Sequence, residues 1–187
     1  MPRIVRCDWC GTDQLYSHYH DFEWGVPCHD DIKLFEFITL EGAQAGLSWI
    51  TILKRRHNYR RAFEDFQVDK IAQFSEQDIV RLMSDEGIIR NRLKIESTIS
   101  NARCYQKTQA EFGSFSNYIW GWVGGIPIIN EWSHNHEVPA KTSISDEISQ
   151  DMKKRGFKFF GSTICYAFMQ AMGLVDDHVQ NCFKRKK

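Results

Sequence analysis

Two Cys/His pairs lie at opposite ends of this 187-residue chain, Cys7 with His20 and His178 with Cys182. Twelve residues separate the first pair and three the second. A His-x3-Cys spacing predicts both side chains on one helix face, because i and i+4 are helical neighbours. Two such half-sites make a closed tetrahedral Cys2His2 zinc site, which would staple the N-terminal segment to the C-terminal one. The ligand set is open at this level. Cys10 makes a Cys7-x2-Cys10 pair, His18 neighbours His20, and unrelated buried cysteines and histidines would leave the same letters.

A chain of this length forms one large domain or two intimate lobes, and joined ends argue for a single unit over 1–187. With 42% hydrophobic and 13% aromatic residues a substantial core can be built. No apolar run reaches the roughly 18 residues of a membrane span. The start, Met1 to Cys7, lacks the apolar stretch of a secretory signal, so the chain is expected in the cytoplasm, where thiols stay reduced. Its six cysteines then read as ligands or buried thiols. Basic and acidic residues balance at 24 each, so no global charge draws the protein to nucleic acid. Basic clusters occur locally at Lys54-Arg55-Arg56, Arg90 to Lys94, Lys153 to Arg155 and the tail Lys184 to Lys187.

The pattern is helical nearly throughout. Helices are predicted over Asp31–Leu40, Trp49–Arg56, Asn58–Phe63 and Asn91–Gln109. A capping box at Ser75 to Asp78 opens a further helix toward Ser84, with Gly87 beyond it as a stop. Residues 121–142, with Gly124, Gly125, Pro127 and Pro139, predict a long loop holding a short extended piece at 126–129. Helix signals resume after Ser143 or Ser145 as N-cap and end near Gly156. Thr163 opens a last buried helix that stops at Gly173.

Three constellations carry chemistry or resemble it. Between Thr39 and Leu53 the only charge is Glu41, set among small residues, and a carboxylate in apolar surroundings is costly without a partner. Tyr19, Trp24 and Trp49 can supply flat walls for a planar ring, and an acid flanked by aromatics suits a flipped, electron-poor base. A core helix with a capped or ion-paired glutamate is the plainer alternative. The stretch Asp85 to Arg92 joins two helices through a Gly-containing turn. Such a turn can present the amide of Gly87 and the charges of Arg90, Arg92 and Lys94 to a phosphate, or be an ordinary helical hairpin. His134-Asn135-His136 reads as an exposed loop, and the zinc-deaminase pattern fails because Pro27-Cys28 has Asp31 where a second cysteine belongs.

Taken together, Arg6 to Trp9, Tyr19 to Pro27, Leu40 to Thr51, Gly87 to Lys94, Lys154 to Phe159, Thr163 to Tyr166 and Gly173 to His178 resemble the DNA-3-methyladenine glycosylase I family of small bacterial repair enzymes, nearly end to end. The resemblance implies an all-α helix–hairpin–helix DNA glycosylase fold, with structural zinc on Cys7, His20, His178 and Cys182. It implies Glu41 as the base-reading carboxylate, Tyr19 and Trp49 as stacking walls and Trp24 nearby. It further implies a monomer that acts on double-stranded alkylated DNA and releases 3-methyladenine without cutting the strand. Gln44-Ala45-Gly46-Leu47 would press on the gap left by the flipped nucleotide. The resemblance also implies that the usual catalytic aspartate of the superfamily is absent, so Glu41 would act through binding and electrostatics. Two readings from other classes compete: a zinc-stapled DNA-binding module without chemistry, and a zinc hydrolase, which four protein ligands deny.

Overall fold

In the computed structural model, which describes residues 4–185, the chain winds around one central helix. The helices are α1 (Gln14–Phe22), α2 (Asp31–Gln44), α3 (Trp49–Ala62), α4 (Val68–Ile71), α5 (Glu76–Met83), α6 (Arg92–Phe112), α7 (Phe115–Gly121), α8 (Ser143–Lys154) and α9 (Ser162–Ala171). Two-residue strands β1 (Ile128–Ile129) and β2 (Val175–Asp176) pair in parallel. Helix α2 is the central one. Every residue from Leu34 to Ala43 is buried, and α3, α6, α7 and α9 pack around it. A helix apolar on nearly all sides is stable only inside such a ring.

Local signals set the ends of these helices. Asp30 caps α2 by accepting from the Lys33 amide, and Asn91 caps α6 by accepting from that of Lys94. The Asp31 carboxylate then reaches across to accept from the amides of Phe115 and Ser116, which fixes the start of α7 against α2. Gly113 ends α6 at φ +81°, a left-handed turn that a side chain disfavours.

The structure corrects several expectations. Trp49–Ala62 is one continuous helix rather than two helical turns, and α1, α4 and α7 are additional. Thr142, not Ser143 or Ser145, caps α8. His178 and Cys182 do not lie on a helix: α9 stops before Gly173, which sits at φ +71°, and the chain leaves β2 through irregular turns. There the Cys182 amide donates to Val179 and the Gln180 amide to Trp132. The basic residues Lys186 and Lys187, like Met1 to Arg3, lie outside the described residues. No described helix is long and apolar enough to cross a membrane.

Candidate active site

A cavity of about 340 Å³ opens between α1, the C-terminal half of α2, the start of α3, α9 and the loop at 135–139. Trp9, Tyr16, Tyr19, Trp24 and Trp49 line it, so its walls are largely aromatic. Tyr19 and Trp49 lie 5.6 Å apart between ring centroids, and Trp9 meets Trp24 edge-on at 4.9 Å. Glu41 lines the same cavity and is 3% exposed. Its Oε2 is buried and has no hydrogen-bond partner among the described residues. Burial alone pushes the Glu41 carboxyl up to about 8, with no cation to offset it. The indole Nε1 of Trp49 is likewise buried without a partner. The sequence-predicted set Tyr19, Trp24, Glu41 and Trp49 is therefore brought together on one cavity.

A second carboxylate in the cavity wall is treated in the opposite way. Asp177 accepts from Asn130 (2.7 Å), Trp132 (2.8 Å), Tyr166 (2.6 Å) and Gln170 (2.8 Å). Its oxygens are thus satisfied by neutral donors drawn from the loop and from α9. This knot holds the loop bearing Asn135, Val138 and Pro139 against the cavity.

Behind the aromatic wall, Cys7, His20 and Cys182 offer metal-binding atoms within 4.8 Å of one another, all buried. His20 turns Nε2 toward Cys182 Sγ at 3.4 Å, while its Nδ1 lies 2.9 Å from Asp21, itself held by Arg6. The Cys7 thiol hydrogen-bonds to Cys182, which holds the Cys182 thiol well below its ordinary range. His178 is not within that cluster of three, but it is adjacent: its ring lies 5.3 Å from that of His20. Its Nδ1 contacts Asp176 at 2.7 Å and its Nε2 is buried without a partner. Cys10 and His18 lie outside that group of three. Cys10 Sγ donates to the Cys7 carbonyl, and His18 is exposed against Phe22.

The residues singled out for a DNA grip are partly engaged within the protein. Gly87 gives its amide to Asp85 at 2.7 Å and Ile89 gives its own to the Tyr59 hydroxyl. A Cβ at Gly87 would come within 2.8 Å of Asn58, so glycine there serves the approach of the hairpin to α3. Arg92 is ion-paired with Glu76 and Glu96, and Arg90 lies 3.7 Å from Glu86. Lys94 donates to the carbonyls of Ala43 (2.8 Å) and Ala45 (2.7 Å). It thereby ties the first turn of α6 to the end of α2, where Gly46 (φ +81°) and the 40%-exposed Leu47 stand out toward solvent.

A family model described as methyladenine glycosylase matches residues 9–185. The chain belongs to the methyladenine glycosylase family. Within that family it is 52% identical over 179 residues to DNA-3-methyladenine glycosylase 1 of Escherichia coli K12, covering 96% of each chain. Its fold is similar to a crystal structure of 3-methyladenine DNA glycosylase I, with TM-score 0.95 and 50% identity over 97% of this chain and 100% of the other. The Staphylococcus aureus 3-methyladenine DNA glycosylase I, solved for the structural basis of 3-methyladenine recognition, matches with TM-score 0.94 and 38% identity over 97% of each chain.

In this glycosylase-family chain the sequence reading missed Tyr16, Asn135, Gln170 and Asp177 as cavity residues. Tyr16 had a usable signal: it lies three residues before Tyr19, hence on the same face of α1. The others come from distant segments and carry no local pattern.

Proposed function

We propose that this chain is a DNA glycosylase that flips 3-methyladenine out of alkylated double-stranded DNA and removes it by hydrolysis, leaving an abasic site without strand cleavage. The observation that carries this reading is Glu41, a buried carboxyl with an unpartnered oxygen in an aromatic cavity. A protein that only gripped DNA would have no use for that costly group. N3-methylation makes the adenine cationic, so it is already a good leaving group. The N-glycosidic bond breaks, the base departs neutral with the bonding electron pair, and the sugar becomes oxocarbenium-like. Water adds at C1′ and gives up a proton to solvent. Tyr19 and Trp49 hold the planar cation by stacking, with Trp24 closing the wall behind them. Glu41 accepts from base N–H groups. The incoming cation supplies the charge that burial denies it, drawing the carboxyl toward its ionised form.

Cys7, His20, His178 and Cys182 fit a structural zinc ion. The donor set is two thiols and two imidazoles, and the buried Nε2 of His178 awaits a partner. Each imidazole is held through its other nitrogen by a carboxylate, Asp21 or Asp176, as metal-bound histidines usually are. Bound zinc supplies rigidity and a tie between the two chain segments. DNA lies across the surface of Gly46, Leu47, Gly87, Arg90 and Arg92. The hairpin of α5 and α6 faces phosphate with the N-terminus of α6, as in a helix–hairpin–helix, and Gly46-Leu47 presses into the gap. Lys94 serves that arrangement by bracing the tip. The protein acts as a monomer in the cytoplasm.

The test is mass-spectrometric detection of bases released from methylated duplex DNA by the zinc-loaded protein. Free 3-methyladenine with little 7-methylguanine and intact strands is the expected result. No released base from a folded, zinc-loaded preparation overturns the reading.

A further inference from the structure

The metal cluster and the base cavity share their walls. Trp24 lines the cavity and stands edge-on to the His178 ring at 4.7 Å, while lying nearly parallel to His20 at 6.2 Å. Trp9, also in the cavity, lies 5.3 Å from His20 and 4.9 Å from Trp24. The next residue, Gly25, has no room for a side chain: a Cβ would come within 2.6 Å of His178 Cε1. Its amide donates to the Gln170 carbonyl, and the Gln170 side chain donates to Asp177, the neighbour of His178. Trp24, His178, Asp177, Gln170 and Gly25 thus close a ring of contacts with the metal ligand on one side and the cavity on the other.

We propose that Trp24 is a positioning residue that couples the two sites, so that base in the cavity and zinc on Cys7, His20, His178 and Cys182 strengthen each other's binding. The idea rests on the glycosylase reading and adds to it a role for the metal beyond joining chain ends. A ligand that fixes Trp24 against one side of His178 limits the ring's freedom to leave the metal. A metal that fixes His178 removes the cost of ordering Trp24 for the base. By linkage the two effects are equal in size.

The experiment is equilibrium competition for zinc by a chromophoric chelator, with and without saturating free 3-methyladenine. Binding of the base is followed separately by tryptophan fluorescence. In the native protein the base is expected to raise the chelator concentration needed for half-removal at least 5-fold. In Trp24→Leu at saturating base the ratio is expected to fall to near 1, with Trp24→Phe recovering part of it. A merely structural role for Trp24 would lower zinc affinity equally with and without base and leave the ratio intact, which overturns the proposal. Base that binds the native protein without changing its zinc affinity also overturns it. Base that fails to bind at all overturns the coupling while leaving the glycosylase reading to the release assay, and a folded preparation without zinc overturns the metal assignment.

Discussion

Two glutamates ride on α2, five residues apart and almost equally buried, and the protein treats them in opposite ways. Glu36 is 5% exposed and meets Arg56 at 2.7 Å and Arg60 at 2.8 Å. Burial works against its ionised form, but the hydrogen bonds from the two arginines outweigh it and hold the carboxyl below the usual range. Glu41 is 3% exposed, has no such partner, and is pushed up to about 8. A folded chain does not leave a buried carboxyl unsatisfied at no cost. The pairing at Glu36 belongs to the architecture, whereas Glu41 keeps a buried oxygen without a partner on the cavity wall.

The largest stability effect should come from the paired member. Glu36→Gln leaves Arg56, itself 7% exposed, with Glu23 as its remaining acidic partner. Breaking a buried pair in this way costs about 3 kcal/mol, to be read from denaturant midpoints. Equal midpoints for wild type and variant would break the comparison.

The pH dependence should then separate the two. Because folding raises the Glu41 carboxyl, its protonated form favours the native state. That contribution is complete below the ordinary value of 4.5 and is lost as pH rises toward about 8. Glu41→Gln should therefore gain on the wild type as pH rises across that window. Glu36 has the reverse sign: its folded value is lowered, so its contribution is present above 4.5 and disappears as pH falls through the lowered value. Thermal unfolding from pH 2 to 9 measures both, and parallel curves for the two variants would contradict the assignment.

The smallest effect concerns the link between the cavity's helix and the hairpin. Lys94→Met removes two hydrogen bonds to the end of α2 and should cost about 1 kcal/mol. Hydrogen exchange at residues 45–48 should quicken more than in the α2 interior. Uniform change along α2 would mean that the brace is not local.

Much of this comparison was legible in the sequence. An isolated Glu41 in an apolar stretch, flanked by aromatic residues, announced a pocket, and Asn91 and Ser75 marked helix starts that the structure keeps. The metal candidates Cys7, His20 and Cys182 were visible from composition and spacing, yet the spacing of His178 and Cys182 suits a turn as well as a helix, and the turn is what forms. Helix α1 was missed because Gln14–Phe22 mixes aromatic, histidine and polar residues without a clean apolar period, although Asp13 caps it. Its loss hid Tyr16. Strands of two residues owe their existence to a partner some 47 positions away, between Ile128 and Val175, and no local propensity encodes that. The knot at Asp177 gathers donors from residues 130, 132, 166 and 170, a pattern that only tertiary packing assembles.

The most direct test of the account is single-turnover release of 3-methyladenine from methylated duplex DNA by Glu41→Gln, with zinc content and folding checked beside the wild type. Glutamine keeps the shape of the side chain but cannot take up the negative charge that answers a cationic base. The account predicts a fall of about 100-fold or more in the rate, corresponding to about 3 kcal/mol of lost transition-state stabilisation, in a variant at least as stable as the wild type at pH 8. Release at the wild-type rate would show that the unpartnered carboxyl of Glu41 is not what the cavity uses to remove the base.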